Sequence, residues 1–349
     1  MRILIAEDDE ALAKFVRQGL ESEHYSVDVF TDGEQARNAA SESDYDVVIL
    51  DLNLPKMDGV TVLRHLRLKK PSLPVLVLTQ RTRVEDRVQC LDTGADDYVP
   101  KQLSSASLDI LHIKQDLIAK IRAAGLSRKS LTPKTFFKKP PRPSPPECRE
   151  PASNPPLIVA IGSSTGGPKA LQDILPLLPG DLAVPVMIVQ HMPPGFTAPF
   201  AQRLNTLCSL TVREATHREP LLPGVVYIAP AGLHMTVERP PAARAFLCLD
   251  PHPENYLHIP SVDIMMKSVA ETFRNQAMGV ILTGMGSDGA EGMSALYRQG
   301  AFTIGQDEAS CTVYGMPRVC AEMGVLTRTV PLLQIPAHIL QATRYRRRA

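Results

Sequence analysis

The chain has 349 residues, a length that predicts two domains, each large enough to bury a core. Its formal net charge of +1 gives no electrostatic reason to expect nucleic acid as a partner. Six scattered cysteines form no metal-ligand spacing, and no apolar run is long enough to span a membrane, so we expect a cytoplasmic protein without membrane insertion.

The first hundred residues alternate between strand-like and helix-like patterns. The strand-like runs are 2–6, 25–30, 46–50, 73–78 and 97–99. Helical periodicity fills the gaps, as in 11–20 and 60–67. This alternation predicts an α/β fold with a five-stranded, doubly wound parallel sheet.

Chemically reactive side chains follow four of these strands. They are Glu7, Asp8 and Asp9 after the first strand, Asp51 after the third, Thr79 after the fourth and Lys101 after the fifth. In such sheets functional groups gather at the carboxyl ends of the strands. Clustered carboxylates repel one another, and a hard cation such as Mg²⁺ relieves that repulsion. Asp51 could then act as a nucleophile whose phosphoryl group the metal, Lys101 and Thr79 stabilise. A merely solvated acidic surface is the alternative.

Residues 1–101 resemble the receiver domains of two-component response regulators. The resemblance is carried by residues 6–9 (AEDD), 50–59 (LDLNLPKMDG), Thr79 and 98–101 (YVPK). It implies phosphorylation of Asp51 and Mg²⁺ held by Glu7, Asp8, Asp51 and the Asn53 carbonyl. It also implies a switch in which Thr79 and Tyr98 move together. Gln80 and Gln102 depart from the family pattern, and we expect them to affect the lifetime of the phosphate.

The receiver-like region is predicted to end in a helix over 107–125, with Ser107 as N-cap and Gly125 as its stop. Residues 126–156 are rich in proline, lysine and arginine and lack periodicity, which predicts an extended, semi-rigid linker. The predicted domains are therefore 1–125 and 157–349.

The second domain opens with an apolar run at 157–161 that ends in small residues, followed by a helix-like pattern at 169–177. Residues 162–166 fit the G-x-S-x-G pattern, in which small neighbours allow a strained, exposed serine. Ser164 is therefore either a nucleophile or part of an anion-binding turn. A phosphate loop is disfavoured because Pro168 stands at its lysine position.

Further elements complete a second doubly wound parallel sheet. An apolar strand from 184 ends at His191, and a strand at 278–283 precedes a Gly-rich turn and a helix from 291. The other predicted elements are strands at 224–229, 234–238 and 301–304, and helices at 261–273 and 317–323. The strands at 224–229 and 234–238 are expected to pair with each other.

Ser164, His191 and Asp288 thus follow strands of one sheet. A serine needs a base within hydrogen-bond reach, and the base needs a carboxylate to fix its tautomer. The chain order of the three residues differs from that of α/β-hydrolases, so that fold is not implied. Each residue also has an alternative role when it is considered alone. His191 could be a structural histidine with its hydrogen bonds satisfied, Asp288 could form a turn or cap a helix, and Ser164 could belong to an anion-binding turn.

Two other functions compete. Gly284, Gly286 and Gly289 have the spacing of a dinucleotide fingerprint, with Asp307 after the next strand. A carboxylate at Asp288 inside that turn would repel a pyrophosphate. Alternatively the second domain is a non-catalytic docking module, which leaves the serine, histidine and aspartate unexplained.

Residues 157–340 resemble the catalytic domain of chemotaxis protein-glutamate methylesterases. The matching segments are 160–167 (AIGSSTGG), 189–196 (VQHMPPGF), 227–232 (YIAPAG) and 282–290 (LTGMGSDGA). The resemblance implies Ser164 as nucleophile, His191 as general base and acid, and Asp288 as the orienting carboxylate. It also places Thr165 and Met285 beside the oxyanion.

Together the two resemblances predict a phosphorylation-activated serine hydrolase. Its substrates would be glutamate methyl esters, and glutamines for deamidation, on methyl-accepting chemotaxis receptors, and a chemotaxis histidine kinase would be the phosphodonor. We expect a monomer that needs Mg²⁺ only in the receiver domain and no cofactor for the esterase. The unphosphorylated receiver is expected to restrict access to Ser164.

Overall fold

The computed structural model describes residues 1–71, 73–79, 93–101, 155–241, 244–254, 256 and 258–345. The chain divides into two compact units, Met1–Pro133 and Lys134–Ala349. The predicted helix at 107–125, most of the predicted linker, Gln80 and Gln102 lie outside the described residues. The predicted domain boundaries therefore stay predictions.

The first unit contains a five-stranded parallel sheet with the order β2-β1-β3-β4-β5. Its strands are β1 (Arg2–Ala6), β2 (Ser26–Phe30), β3 (Val47–Asp51), β4 (Val75–Thr79) and β5 (Asp97–Pro100). Its helices are α1 (Glu10–Glu21), α2 (Gly33–Glu42) and α3 (Gly59–Lys69). The predicted doubly wound architecture is confirmed.

An aspartate begins each of these three helices. Asp9 accepts backbone hydrogen bonds from Ala11 (2.9 Å) and Leu12 (3.1 Å) at the start of α1. Asp32 and Asp58 do the same for the first turns of α2 and α3. Such N-caps satisfy backbone donors that have no partner within the helix. The Asp9 side chain thus caps α1, a role that distinguishes it from the other acids after β1, Glu7 and Asp8.

The second unit contains a seven-stranded parallel sheet with the order β14-β13-β12-β6-β7-β9-β8. Its strands are β6 (Ile158–Ser163), β7 (Val186–Gln190), β8 (Thr211–Glu214), β9 (Val225–Ile228), β12 (Ala277–Ile281), β13 (Phe302–Gln306) and β14 (Arg328–Val330). An antiparallel pair, β10 (His234–Glu238) and β11 (Phe246–Asp250), stands apart from it. The central strands β6, β7 and β12 are completely buried, as expected for a parallel sheet covered on both faces.

The helices of this unit are α4 (Gly167–Ile174), α5 (Thr197–Leu207), α6 (Val262–Phe273), α7 (Ala290–Arg298), α8 (Met316–Glu322) and α9 (Ile335–Ala342). Ser261 caps α6 by accepting a hydrogen bond from Ile264, so the predicted start of that helix is confirmed. Within the described part of the chain, no helix combines the length and apolar character needed to cross a membrane.

One predicted pairing is wrong. The strands predicted at 224–229 and 234–238 do not pair with each other, because β9 lies between β7 and β8 whereas β10 pairs with β11. Burial explains the difference. Every residue of β9 is buried, which suits the middle of a covered sheet, whereas β10 contains a half-buried residue, Thr236, and an exposed one, Glu238.

Candidate active site and receiver site

Ser164 lies in the short turn between β6 and α4. The turn bends at Gly166, whose φ of +78° is left-handed and whose added Cβ would lie 2.5 Å from the Thr312 side chain. Ser164 itself is half-buried and has no left-handed φ. Ser164 is thus only partly exposed and unstrained, and glycine adopts the unusual backbone conformation of this turn.

His191 follows the strand next to that of Ser164. Ser163 and Gln190 are paired in register, and the His191 amide donates to the Ser163 carbonyl over 3.1 Å. Ser164 and His191 therefore follow directly on a paired position of two strands that lie about 4.8 Å apart. Sheet register alone makes the two residues neighbours.

Gln190 holds this neighbourhood together and was not identified from the sequence. Its buried side chain accepts a hydrogen bond from Ser163 Oγ (2.7 Å) and donates to the carbonyls of Ser164 (2.9 Å) and His191 (3.0 Å). A Cβ on Gly167 would lie 2.0 Å from Gln190 Oε1, so only glycine admits the amide here. The backbone on both sides of the site is thereby fixed.

Asp288 contacts the His191 ring. His191 Nε2 lies 2.8 Å from Asp288 Oδ2. His191 Nδ1 is buried and has no hydrogen-bond partner among the described residues. An ionised carboxylate only accepts hydrogen bonds, so Nε2 carries the proton of the neutral ring and Nδ1 keeps its lone pair. The ring is therefore prepared to accept a proton at Nδ1.

Asp288 also caps a helix, but not the one that follows it. Its carboxylate accepts hydrogen bonds from Ser261 Oγ (2.8 Å) and from the amides of Val262 (2.7 Å) and Asp263 (3.0 Å) at the start of α6. Burial raises the Asp288 pKa. The hydrogen bond from His191, the positive charge that its ring carries when protonated, and the hydrogen bonds from these amides outweigh burial and hold the pKa well below its usual range. Asp288 is therefore an ionised, firmly oriented partner for His191.

A second histidine covers His191. The His258 ring stacks on the His191 ring with centroids 4.1 Å apart and an angle of 21° between the planes. His258 lies in an irregular segment before α6, where periodicity gives no signal, so it was not identified from the sequence. It adds a further constraint on the orientation of the His191 ring.

The two predicted oxyanion neighbours lie in segments that meet Ser164. Thr165 is buried, and its carbonyl accepts a hydrogen bond from Thr283 Oγ1 over 2.9 Å. Met285 is 36% exposed and follows Gly284, where a Cβ would lie 2.9 Å from Ser164 Cβ. The chain segment of Met285 therefore passes directly beside the serine.

The same glycine-rich turn suits a dinucleotide poorly. Asp288 brings an ionised carboxylate into it, and Asp307, the acid of the fingerprint, is engaged locally with the Ser310 amide and hydroxyl. The turn serves packing instead, since a Cβ on Gly289 would lie 2.8 Å from the Val262 side chain.

In the first unit, Asp51, Glu7 and Lys101 form a buried cluster. Lys101 Nζ donates to Glu7 Oε1 (2.6 Å) and to Asp51 Oδ2 (2.7 Å). The other Asp51 oxygen accepts from the amides of Leu52 (2.6 Å) and Asn53 (3.2 Å). The predicted phosphoacceptor and the predicted lysine are thus in direct contact.

The acids of this cluster suit a cation. Ligand atoms of Glu7, Asp8 and Asp51 lie within 4.8 Å of one another. Burial raises the pKa of Glu7 to about 7, against the lowering effect of Lys101, and Glu7 Oε2 is buried without a partner among the described residues. A hard divalent cation with oxygen ligands would neutralise this arrangement. Thr79 and Tyr98 lie in β4 and β5, and their side chains are outside the described part.

Comparisons with known proteins match both units. Residues 159–339 match the family described as CheB methylesterase, and residues 3–111 match the response regulator receiver domain.

Full-length relatives match as well. A protein-glutamate methylesterase/protein-glutamine glutaminase of Nitratidesulfovibrio vulgaris is 37% identical over 97% of this chain and 98% of its own length. A protein of the same name from Archaeoglobus fulgidus is 36% identical over 98% of this chain and 97% of its own. The crystal structure of the Thermotoga maritima CheB methylesterase catalytic domain is 39% identical, with a TM-score of 0.52, over 53% of this chain and 98% of that one.

Proposed function

Because the chain belongs to the CheB methylesterase family and carries a receiver domain, we propose that it is a phosphorylation-activated serine hydrolase. Its substrates are glutamate methyl esters on methyl-accepting chemotaxis receptors, and it also deamidates glutamines there. The observation that carries this proposal is the His191 ring, which is bound through Nε2 to Asp288 and open at a buried Nδ1, on a residue that follows the strand next to that of Ser164.

The first chemical step is acylation of Ser164. As Ser164 Oγ attacks the ester carbonyl, His191 Nδ1 takes its proton and Asp288 stabilises the imidazolium that forms. His191 then gives this proton to the leaving oxygen, and methanol departs. The ring nitrogens have the reverse of the roles they have in chymotrypsin-like proteases, because here Nε2 faces the aspartate.

The negative charge that develops on the carbonyl oxygen needs backbone donors. The helix α4 begins at Gly167, and its N-cap Gly166 offers no capping side chain. The Gly167 amide already donates to the Ser164 carbonyl over 2.8 Å and Pro168 has no amide hydrogen, so we assign the oxyanion to other backbone amides of this turn. Thr165 and Met285 are the proposed neighbours of this oxyanion. Oriented donors in such a position stabilise the transition state without reorganisation.

A water molecule completes the cycle. His191 Nδ1 removes a proton from the water as it attacks the acyl-enzyme, and Ser164 leaves with that proton, which yields the free glutamate side chain. A glutamine follows the same route with ammonia as the leaving group. The esterase chemistry is assigned to these side chains with no cofactor.

The receiver unit supplies control. We assign phosphorylation to Asp51, with Lys101 stabilising the phosphoryl group and Thr79 and Tyr98 forming the switch. Glu7, Asp8, Asp51 and the Asn53 carbonyl would hold Mg²⁺, which supplies charge neutralisation for phosphoryl transfer when bound. Support comes from the buried contact of Lys101 with Asp51 and from the unpartnered Glu7 oxygen.

The proposed partners follow from this chemistry. They are chemotaxis receptors as substrate and a chemotaxis histidine kinase as phosphodonor, with no nucleic acid. We place the protein in the cytoplasm, where it works as a monomer.

Labelling with a serine-reactive phosphonate tests the hydrolase directly. We expect a single adduct, located at Ser164 by mass spectrometry, and labelling that falls at least about 100-fold in His191→Gln, in which the general base is lost. Labelling that persists in Ser164→Ala would contradict the proposal. A rise in melting temperature caused by a dinucleotide, with no labelling, would favour the dinucleotide function. If neither the labelling nor the rise in melting temperature is observed, a docking module is favoured.

A further inference from the structure

The segment that precedes α6 supports the catalytic residues at two points. We call residues 253–261 the strap; all of them except 255 and 257 are described. His258 of the strap stacks on His191, and Ser261 Oγ donates to Asp288 over 2.8 Å. The orientation of both catalytic residues therefore depends on where the strap lies.

A buried histidine outside the strap holds it in place. His234, the first residue of β10, is only 1% exposed. Its Nδ1 accepts a hydrogen bond from the Ser261 amide over 3.1 Å, and its Nε2 lies 3.1 Å from the Pro253 carbonyl oxygen. The ring also meets Tyr256 edge to face, with centroids 5.5 Å apart. One side chain thus contacts the beginning, middle and end of the strap.

The two backbone partners fix the tautomer of His234. A backbone amide can only donate and a carbonyl can only accept, so Nδ1 must be bare and Nε2 must carry the proton. No other protonation state satisfies both partners at once.

We propose that His234 is a positioning residue for catalysis, acting through Ser261. Its Nδ1 holds the Ser261 backbone so that the Ser261 hydroxyl reaches Asp288, which in turn orients His191. The contact with Pro253 anchors the far, exposed end of the strap and matters less for the reaction. This inference rests on the proposed hydrolase function.

Two substitutions separate the two contacts. In His234→Asn the amide oxygen occupies nearly the place of Nδ1, so it can still accept from Ser261 but cannot reach Pro253. In His234→Gln the longer amide reaches Pro253 but leaves the buried Ser261 amide without an acceptor. Both variants lose the ring that packs on Tyr256, so this loss is matched between them.

The test measures the second-order rate of phosphonate labelling at Ser164 in the full-length chain, together with the melting temperature of each variant. We expect His234→Asn to stay within about 3-fold of the wild type and His234→Gln to fall about 10-fold or more, since an unsatisfied buried amide displaces the helix cap. Their melting temperatures should fall to a similar extent. His217→Asn is the control, because exposed His217 also accepts a backbone hydrogen bond, from Leu249 (3.0 Å), but makes no described contact with the strap. Its labelling rate should equal that of the wild type.

Equal labelling rates in His234→Asn and His234→Gln, or a larger loss in His234→Asn, would overturn the inference. Rates that simply follow the melting temperatures would also overturn it, because they would show a merely structural role. If the wild type is not labelled at all, the proposed hydrolase function fails instead, so the two failures are distinguishable.

Discussion

Four hydrogen bonds from the start of α6 and from His191 converge on Asp288. A carboxylate can accept all of them, whereas a carboxamide must direct its NH₂ group at one of these donors. The residue therefore has two coupled tasks, to orient the His191 ring and to cap a helix.

Asp288→Asn should lower the rate of methanol release by about 10³- to 10⁴-fold, because the amide favours the wrong tautomer of the histidine. Methanol release from methylated receptor membranes measures the loss. Asp307→Asn is the matched control, since among the described residues the Asp307 carboxylate accepts hydrogen bonds from Ser310 in its own turn, and its rate should not change. A loss below about 10-fold in Asp288→Asn would contradict the assigned role.

The stacked pair of histidines gives a second test at this scale. His258→Phe keeps an aromatic face over His191, whereas His258→Ala removes it. An aromatic pair contributes about 0.5–1.5 kcal/mol, so we expect kcat/KM to fall roughly 2- to 10-fold in the alanine variant and to change little in the phenylalanine variant. Equal losses in both variants would show that stacking is not the relevant contact.

Glu7 makes the binding of Mg²⁺ pH-dependent. Without a cation its pKa is raised to about 7, chiefly by burial, so the carboxyl is largely protonated at pH 6 and largely ionised at pH 8. A cation must displace that proton at pH 6, so Mg²⁺ should bind more tightly at pH 8.

Calorimetric titration of the full chain at pH 6 and pH 8 measures this difference. In Glu7→Gln the affinity should be low and should change less between the two pH values. Affinity in the wild type that is equal or weaker at pH 8 would exclude Glu7 as the pH-dependent ligand.

At the scale of elements, the N-terminal ends of α6 and α7 are joined by hydrogen bonds. Asp288, which precedes α7, accepts from the amides of α6, and Asp263 in α6 accepts from the Gly292 amide of α7 over 2.7 Å. Burial and the negative charge of Asp288 raise the Asp263 pKa to about 6. Each helix therefore supplies an acceptor to the other, and two carboxylates lie close together.

Asp263→Ala should reduce the free energy of unfolding by about 1–2 kcal/mol, as expected for a lost cap. Asp263→Asn keeps an acceptor for Gly292 but removes the charge. Because the Asp263 pKa is higher in the folded than in the unfolded chain, ionisation of this carboxyl lowers the stability of the wild type. The loss begins as the pH rises above the pKa of the unfolded chain and is complete above about pH 6. The melting temperature of Asp263→Asn relative to the wild type should therefore rise from pH 4.5 to pH 8. A constant difference would contradict this sign.

The sequence predicted the elements that carry the site because their signals are local. The strands β6, β7 and β12 are continuous apolar runs, and small residues or prolines end them, so Ser164, His191 and Asp288 could be placed at one edge of a sheet. The partner of β10 could not be predicted, because pairing depends on burial by distant segments rather than on the strand itself.

The supporting residues of the site left no comparable signal. Gln190, His234 and His258 act through contacts with residues distant in the chain or through sheet register. A single histidine in a strand or an irregular segment has no spacing that indicates a partner. Their roles are visible only once the strap and the strand ends have been brought together.

At the scale of the whole molecule, two units with separate sheets carry two chemistries. In the first unit the buried Lys101 lies between the carboxylates of Glu7 and Asp51. In the second unit His191 is bound to Asp288 and follows the strand next to that of Ser164. We expect phosphorylation in the first unit to raise the rate of ester hydrolysis in the second.

The most direct test is methanol release from methylated receptor membranes by the full chain, with and without a small phosphodonor and Mg²⁺. Release by the wild type should rise with the phosphodonor, Asp51→Asn should stay at the basal rate in both conditions, and Ser164→Ala should release none. No release by the wild type in either condition, or a phosphodonor response that survives in Asp51→Asn, would contradict the account.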